Sequence, residues 1–218
     1  MSISHKRCVI VGGAEIKNYD LIRGYFSHED FFIYCDCGLK HEKNLGFKPD
    51  LIIGDFDSHE KPKDFKNIIE LPCVKDDTDT IYAIKHAMKH GGSPAGGFDD
   101  FILIGATGGR QDHNLGNIYA LLMLANQNKN AKIIDDYSEI KIIRAGEKIK
   151  IKNVWKFFSL INITGTAKGI NITGAKYNLE NAEISPEFQY GISNEVLDSE
   201  DSAEVYLNEG NLLLICVR

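Results

Sequence analysis

Two aspartates two positions apart, Asp55 and Asp57 in Gly54-Asp55-Phe56-Asp57-Ser58, are the first residues in this chain with chemistry in their spacing. In an extended segment their carboxylates project to the same side, ~7 Å apart along the backbone, and repel each other unless a cation lies between them. Mg²⁺ suits such a pair, since it takes hard oxygen ligands and leaves its other positions to phosphates and water. The same residues could instead form a turn in which Asp57 or Ser58 caps backbone groups. A second acidic run, Lys75-Asp76-Asp77-Thr78-Asp79-Thr80, precedes a helical pattern. Asp76, Asp77 and Thr78 can each cap that helix, and Asp77 taken alone reads as the cap. Three aspartates within Asp76–Asp79 exceed what a cap needs. Asp79 is therefore expected to reach the Asp55/Asp57 site, with Lys75 either neutralising a phosphate or lying on the surface.

A third segment, Gly105-Ala106-Thr107-Gly108-Gly109-Arg110-Gln111-Asp112-His113, is glycine-rich, leads into a helical pattern and carries an arginine. Backbone N–H groups at a helix N-terminus bind phosphate, and a guanidinium can grip two phosphate oxygens at once. The register is not that of a Walker A loop, and Gly12-Gly13 do not complete a dinucleotide fingerprint. His113 reads equally as a helix-surface residue or a ligand, and Asn117, one turn on, could share its face.

These clusters need elements to hold them, and the hydrophobic pattern supplies candidates. Short apolar runs at Cys8–Val11, Phe31–Cys35, Leu51–Ile53, Ile68–Leu71, Phe101–Ile104 and Lys132–Ile134 read as strands buried on both faces of a parallel sheet. Helical stripes fall between them, at Ile81, Ile84, Ala87 and Met88, and again at Leu115, Ile118, Tyr119 and Leu122. This alternation predicts a mostly parallel, doubly wound α/β domain over residues 1–136. Gly12-Gly13, Asp36, the Asp55/Asp57 pair, Lys75–Thr80 and Gly105–His113 all follow strands. They would converge at the carboxyl edge, where open parallel sheets bind ligands.

After Asp136 the pattern becomes short strands separated by turns, predicting a β-sandwich over residues 137–218. Ile140–Ile143 and Lys148–Ile151, flanking Arg144-Ala145-Gly146-Glu147, read as a hairpin. Further strands are expected at Phe157–Ile163, Ile170–Thr173, Gly191–Val196, Ala203–Leu207 and Leu212–Val217. The glycine-rich stretch His90–Gly97 reads as a solvated connector.

The 218 residues carry 25 basic and 31 acidic side chains, a formal charge of −6. That balance argues against sequence-independent binding to nucleic acid or to an anionic membrane surface. No apolar run has the length of a membrane span, and the start MSISHKRCVIVGG is too weakly apolar for a signal-peptide core. Five cysteines without a Cys-x-x-Cys pair weigh against a disulfide framework or a structural zinc site. The expectation is a reduced, cytoplasmic protein.

In these motifs the chain resembles the thiamine pyrophosphokinase (thiamine diphosphokinase) family. The family's Asp-Gly-Gly-like segment reads here as Cys35-Asp36-Cys37-Gly38, its Gly-Asp-x-Asp-Ser motif as Gly54–Ser58, and its Lys/Gln-Asp-x-Thr-Asp motif as Lys75–Asp79. Its Gly-rich Arg-x-Asp-His segment reads as Gly105–His113, and the motifs keep the family's order. Gly174–Leu179 resembles a segment with an aromatic residue, often Trp, here Tyr177; Gly191–Glu195 resembles a Ser-Asn signature near the vitamin site. Cys37 stands where the family usually has Gly.

The resemblance implies an ATP- and Mg²⁺-binding catalytic domain, a thiamine-binding and dimerising sandwich, and a homodimer with sites between subunits. It implies transfer of the pyrophosphoryl group of ATP to the thiamine hydroxyl, giving thiamine diphosphate and AMP. On that footing Asp55, Asp57 and Asp79 would hold Mg²⁺, Asp36 would support them or orient the hydroxyl, and Arg110 and Lys75 would stabilise phosphate charge. Gly12, Gly13, Asp77, Thr78, Thr107, Gly108, Gly109, Asp112 and His113 would position the nucleotide. Tyr177, Ser193 and Asn194 would bind thiamine, Tyr177 by stacking on a cationic aromatic ligand. Two other readings use the same residues. An Asp-x-Asp phosphohydrolase would form a phospho-aspartate and leave Lys75–Asp79 and the Arg110 loop without a task. A non-catalytic nucleotide or thiamine sensor would bind without forming AMP.

Overall fold

A computed structural model describes residues 7–57, 61–90 and 96–218. Ser58, residues 91–95 of the expected connector and the first six residues of the chain lie outside the described residues. The chain divides into two compact units, Met1–Asp136 and Tyr137–Arg218.

In the first unit the elements are β1 (Cys8–Val11), α1 (Tyr19–Arg23), β2 (Phe31–Cys35), a 3₁₀ turn (Asp36–His41), α2 (Glu42–Leu45), β3 (Leu51–Gly54) and β4 (Ile68–Glu70). They continue with α3 (Asp79–Lys89), β5 (Asp100–Ile104), α4 (Gln111–Asn126) and β6 (Asn130–Ile134). The strands run in the order β6-β5-β1-β2-β3-β4, and each pairing is parallel. Runs such as Cys-Val-Ile-Val are apolar at every position because both faces of the sheet are covered. Val9, Val11, Phe32, Tyr34, Ile102 and Ile104 share one face and pack against Ile22 of α1 and Leu45 of α2. Helix α3 contacts β1, β2 and β3.

Strand order reverses at β1, which pairs β2 on one side and β5 on the other. The loops leaving β1 and β5 approach closely there. A Cβ on Gly12 would lie 2.5 Å from the Gly105 carbonyl oxygen, and one on Gly105, at φ +56°, 2.4 Å from that of Gly12. Only glycine fits at either position.

Helix α3 is capped by Thr78, whose Oγ1 accepts the Ile81 N–H at 3.3 Å. The capping role expected of Asp77 therefore falls one residue later, and Asp77 instead accepts two bonds from Lys85 at 2.7 and 2.8 Å. In α4 the expected stripe is rotated. Leu115 and Tyr119 are exposed and Ile118 is half-buried, while Leu122 of that stripe is buried together with Asn117, Ala120, Leu121 and Leu124. The C-terminal half of this helix is apolar nearly all round, so spacing alone does not select its buried face.

The second unit contains β7 (Ser138–Arg144), β8 (Lys148–Lys152), β9 (Phe157–Ile161), β10 (Ala167–Thr173), β11 (Leu179–Ile184), β12 (Gly191–Asn194), β13 (Ser202–Tyr206) and β14 (Asn211–Val217). Two antiparallel sheets, β12-β9-β14-β7 and β11-β10-β13-β8, contribute to one apolar cluster that includes Phe158, Leu160, Ile172, Val205 and Leu214. The expected hairpin of β7 with β8 does not form: β7 pairs with β14 and β8 with β13. Residues 144–147 carry the chain from one sheet to the other. Ala145 and Gly146 donate to the carbonyls of Gly210 and Leu207 rather than closing a two-strand ladder. Strand β11, Leu-Glu-Asn-Ala-Glu-Ile, is an addition to the expected set: its core-facing Leu179, Ala182 and Ile184 do not alternate regularly, because Asn181 at φ +45° and register shifts against β10 interrupt the pleat.

Phe158 is 1% exposed in this cluster, whereas Val154, in a turn, is 74% exposed. Phe158→Ala should destabilise the protein by about 3–5 kcal/mol in urea unfolding, and Val154→Ala by less than about 0.5 kcal/mol. Equal effects would contradict this core.

Candidate active site

A cavity of about 460 Å³ opens where the sheet order reverses, within the range of small-molecule sites. Of the residues expected to hold a nucleotide, Gly13, Thr78, Gly108, Gly109 and His113 line it, together with Asp79 and Arg110. Gly12 supports the wall through its N–H bond to the Ile104 carbonyl at 2.8 Å. Thr107 turns away and donates to Asp135 at 2.9 Å, and Asp77 is engaged by Lys85.

Asp36, Asp55 and Asp57 form a group in which one carboxylate oxygen from each lies within 4.8 Å of the others. Asp36 is 2% exposed and opens the 3₁₀ turn after β2. Of the two readings that the spacing left open, the Asp55–Asp57 segment takes the turn rather than the extended form, with the Asp57 N–H directed at Asp55 Oδ1 at 3.5 Å. Phe56 adopts φ +54°, a left-handed conformation that costs a non-glycine residue on the order of 1–3 kcal/mol and folds the two carboxylates toward Asp36. Asp79, at the start of α3, joins through Lys75, whose Nζ lies 2.6 Å from Asp55 Oδ2 and 2.8 Å from Asp79 Oδ1. The Lys75 hydrogen bond holds the Asp55 carboxyl below its usual range. Burial opposes the charge on Lys75, but the two carboxylates outweigh it and raise the ammonium's pKa. Three carboxylates at this separation repel strongly without a cation, and their hard oxygens fit Mg²⁺. Asp36, Asp55 and Asp57 are thus the residues that the geometry brings together, with Asp79 tied to them by Lys75.

The N-terminus of α4 faces the cavity, and the side chain of its cap residue Arg110 accepts no backbone N–H of the first turn. Those N–H groups and the positive end of a 16-residue helix suit an anion. Arg110 is exposed and forks onto Asp112 at 3.2 and 2.6 Å. The hydrogen bond from Arg110 lowers Asp112 to about 2. Two asparagines shape this loop. Asn114 accepts the Gly108 N–H and donates to the Gly108 carbonyl, both at 2.8 Å. Buried Asn117 donates to the Ala106 carbonyl at 2.6 Å. Sequence reasoning missed Asn114; its signal was an asparagine close to a glycine-rich loop, where its side chain bonds local backbone.

In the second unit Tyr177 is 60% exposed and Lys176 Nζ lies 5.9 Å from its ring centroid. Asn194 is buried and clamps the Tyr177 backbone. Its Oδ1 accepts the Tyr177 N–H at 3.0 Å and its Nδ2 donates to the Tyr177 carbonyl at 2.8 Å. Ser193, at φ +58°, lies at a register irregularity between β12 and β9, and its N–H donates to Ser159 Oγ at 3.0 Å.

Comparison with known proteins matches residues 22–134 to the family described as thiamin pyrophosphokinase, catalytic domain, and residues 146–212 to thiamin pyrophosphokinase, vitamin B1 binding domain. The thiamine pyrophosphokinase of Bacillus subtilis is 29% identical over 198 residues, 88% of this chain and 89% of the relative. Thiamin pyrophosphokinase 1 of Caenorhabditis elegans is 24% identical over 78% of this chain and 70% of its own length. The crystal structure of the B. subtilis protein superimposes with a TM-score of 0.83 at 25% identity, covering 97% of this chain and 99% of that one. Thiamin pyrophosphokinase from Geobacillus thermodenitrificans gives 0.80 at 28% identity, covering 97% of both chains.

The Arg110–Asp112 fork yields a direct test. In a carboxyl NMR titration Asp112 should report a pKa of about 2, and Arg110→Gln should return it to the ordinary carboxylate range. An unchanged value in the variant would show that Arg110 does not hold it.

Proposed function

The chain belongs to the thiamin pyrophosphokinase family, and from that premise we propose how its residues divide the work of making thiamine diphosphate from thiamine and ATP. The thiamine hydroxyl oxygen forms a bond to the β-phosphorus of ATP as the bond from that phosphorus to the α,β-bridging oxygen breaks. AMP leaves with the bridging oxygen, and the hydroxyl proton passes to solvent or to a carboxylate. The observation that carries the assignment is the Asp36/Asp55/Asp57 group with Lys75, beside a cavity closed by a helix N-terminus.

Asp36, Asp55 and Asp57 would hold Mg²⁺, with Asp79 close enough to join them through its shared contact with Lys75. When bound, the ion supplies charge neutralisation to phosphate oxygens. Lys75 then has reason to exchange a carboxylate for a phosphate oxygen, and Arg110, exposed on the cavity rim, to release Asp112 for the same purpose. Gly109 and the first turn of α4 would present backbone N–H groups to the phosphates, with Gly108, whose N–H is taken by Asn114, shaping the loop. Phosphoryl transfer of this kind depends on alignment and electrostatics, so a strong base is not required. Tyr177 would stack on an aromatic ring of the thiamine cation, Asn194 acting through it as a clamp, and Ser193 would add a hydrogen bond. We extend the reading to a cytoplasmic homodimer. Five free thiols suit a reducing compartment, and the dimer follows from the family resemblance. Among the described residues no helix is long and apolar enough to cross a membrane.

Purified protein with ATP, Mg²⁺ and thiamine should release AMP and thiamine diphosphate in equal amounts. ADP with thiamine monophosphate would overturn β-attack, and a trapped phospho-aspartate at Asp55 would favour a hydrolase. Asp36→Asn, Asp55→Asn and Asp57→Asn should each lower kcat at least ~100-fold in folded protein. Full activity in all three would remove the metal assignment. Tyr177→Ala should raise the KM for thiamine about tenfold while leaving that for ATP within about twofold, and Tyr177→Phe should retain most of the affinity.

A further inference from the structure

We propose that His41 is a positioning residue for the nucleotide, fixing the Gly13–Glu15 wall of the cavity through a hydrogen-bonded relay from Tyr19 to the Ala14 carbonyl. His41 ends the 3₁₀ turn that begins at Asp36 and is 2% exposed. Its Nε2 lies 2.8 Å from the Ala14 carbonyl oxygen and its Nδ1 lies 2.7 Å from the Tyr19 hydroxyl. A carbonyl only accepts, so Nε2 must carry the proton. In the neutral ring Nδ1 then accepts from the Tyr19 O–H. Burial pushes the imidazole pKa down, in keeping with a neutral ring.

Both ends of the relay are anchored. The backbone N–H groups of Lys17 and Asn18 donate to the Asp136 carboxylate at 2.9 and 2.8 Å, holding the start of α1 that carries Tyr19. On the far side the Ala14 N–H donates to the Gly105 carbonyl at 2.8 Å, and Gly13, Ala14 and Glu15 line the cavity. Lys40 Nζ reaches the neighbouring Gly13 carbonyl at 2.5 Å, so two successive side chains of the turn hold two successive carbonyls of the wall. Histidine suits this place because it offers one donor and one acceptor on opposite edges of a rigid ring. No aliphatic side chain of that size does either. The relay touches no reacting atom. Its expected effect is therefore on nucleotide affinity rather than on the transfer step.

This inference rests on the reading of the cavity as the ATP site, and the experiment separates the two. Binding of a fluorescent ATP analogue, trinitrophenyl-ATP, is titrated directly, alongside steady-state kinetics in both substrates. In His41→Leu, the dissociation constant and the KM for ATP should rise about tenfold. The kcat and the KM for thiamine should stay within about twofold, as loss of two neutral hydrogen bonds acting on ground-state binding requires. His41→Gln, whose amide N–H can still reach the Ala14 carbonyl, should recover most of the affinity. Tyr19→Phe should weaken binding about threefold in the wild-type background and have no effect in His41→Leu. A fall in kcat with unchanged nucleotide affinity in His41→Leu, unchanged affinity in Tyr19→Phe, or a tenfold loss of affinity in His41→Gln would overturn the relay. If His41→Leu does not fold, Tyr19→Phe and His41→Gln carry the test. Failure of the unmodified enzyme to bind the analogue while it still forms AMP would refute the cavity assignment itself.

Discussion

Three carboxylates, Asp36, Asp55 and Asp57, gather at the carboxyl edge of one parallel sheet, and the Lys75 ammonium ties Asp55 to a fourth, Asp79. At 4.8 Å, two like unit charges repel on the order of 3 kcal/mol at an effective dielectric of about 20. No local propensity produces such a cluster; the surrounding framework has to impose it. The buried strands β2 and β3 fix where Asp36 and Asp55 emerge, and Thr78, by capping α3, fixes the direction in which Asp79 enters. Phe56 takes up the remaining misfit as backbone strain. The stability of the α/β core sustains that strain.

Most of the parallel sheet was legible because a strand covered on both faces reads as an unbroken apolar run, and the polar clusters follow those runs directly. What could not be read was any feature set by a contact across the chain. Asp55 and Asp57 were recognisable as a pair, yet their approach depends on the left-handed turn at Phe56, which no residue type there announces. In the second unit the strands were mostly visible, but the partner of β7 was not. Two apolar runs separated by Arg-Ala-Gly-Glu read as a hairpin, and only the core on both sheets requires the chain to cross between them. Strand β11 carried no pattern because the left-handed residue Asn181 and the register shifts against β10 break its alternation, although Leu179, Ala182 and Ile184 all reach the core.

The side chains that shape the candidate site at one remove were harder still. Asn114, Asn117, Asn194 and His41 all act on backbone carbonyls or N–H groups, which every residue possesses. A side-chain partner can be sought by its type, whereas a backbone partner leaves no trace in composition. Asn114 was within reach because its target, Gly108, is six residues away and asparagine favours local backbone bonds. His41 was not, since Ala14 lies 27 residues upstream and is brought near only by the pairing of β1 with β2.

Cys37, the one departure from the family pattern in the Asp36 segment, ties these observations together. A Cβ placed on Gly13 would lie 2.4 Å from the Cβ of Cys37, far inside contact distance. The two positions therefore share one space, and a side chain at 37 requires its absence at 13. Cys37 lines the cavity beside Gly13, so the volume it occupies is taken from the loop wall rather than from the carboxylate group next to it in sequence. The substitution is accommodated because the wall can run as bare backbone, held in place from behind by Lys40 and His41 through its carbonyl oxygens. Asp36 keeps its place in the carboxylate group because the turn it opens is anchored at its other end, at His41.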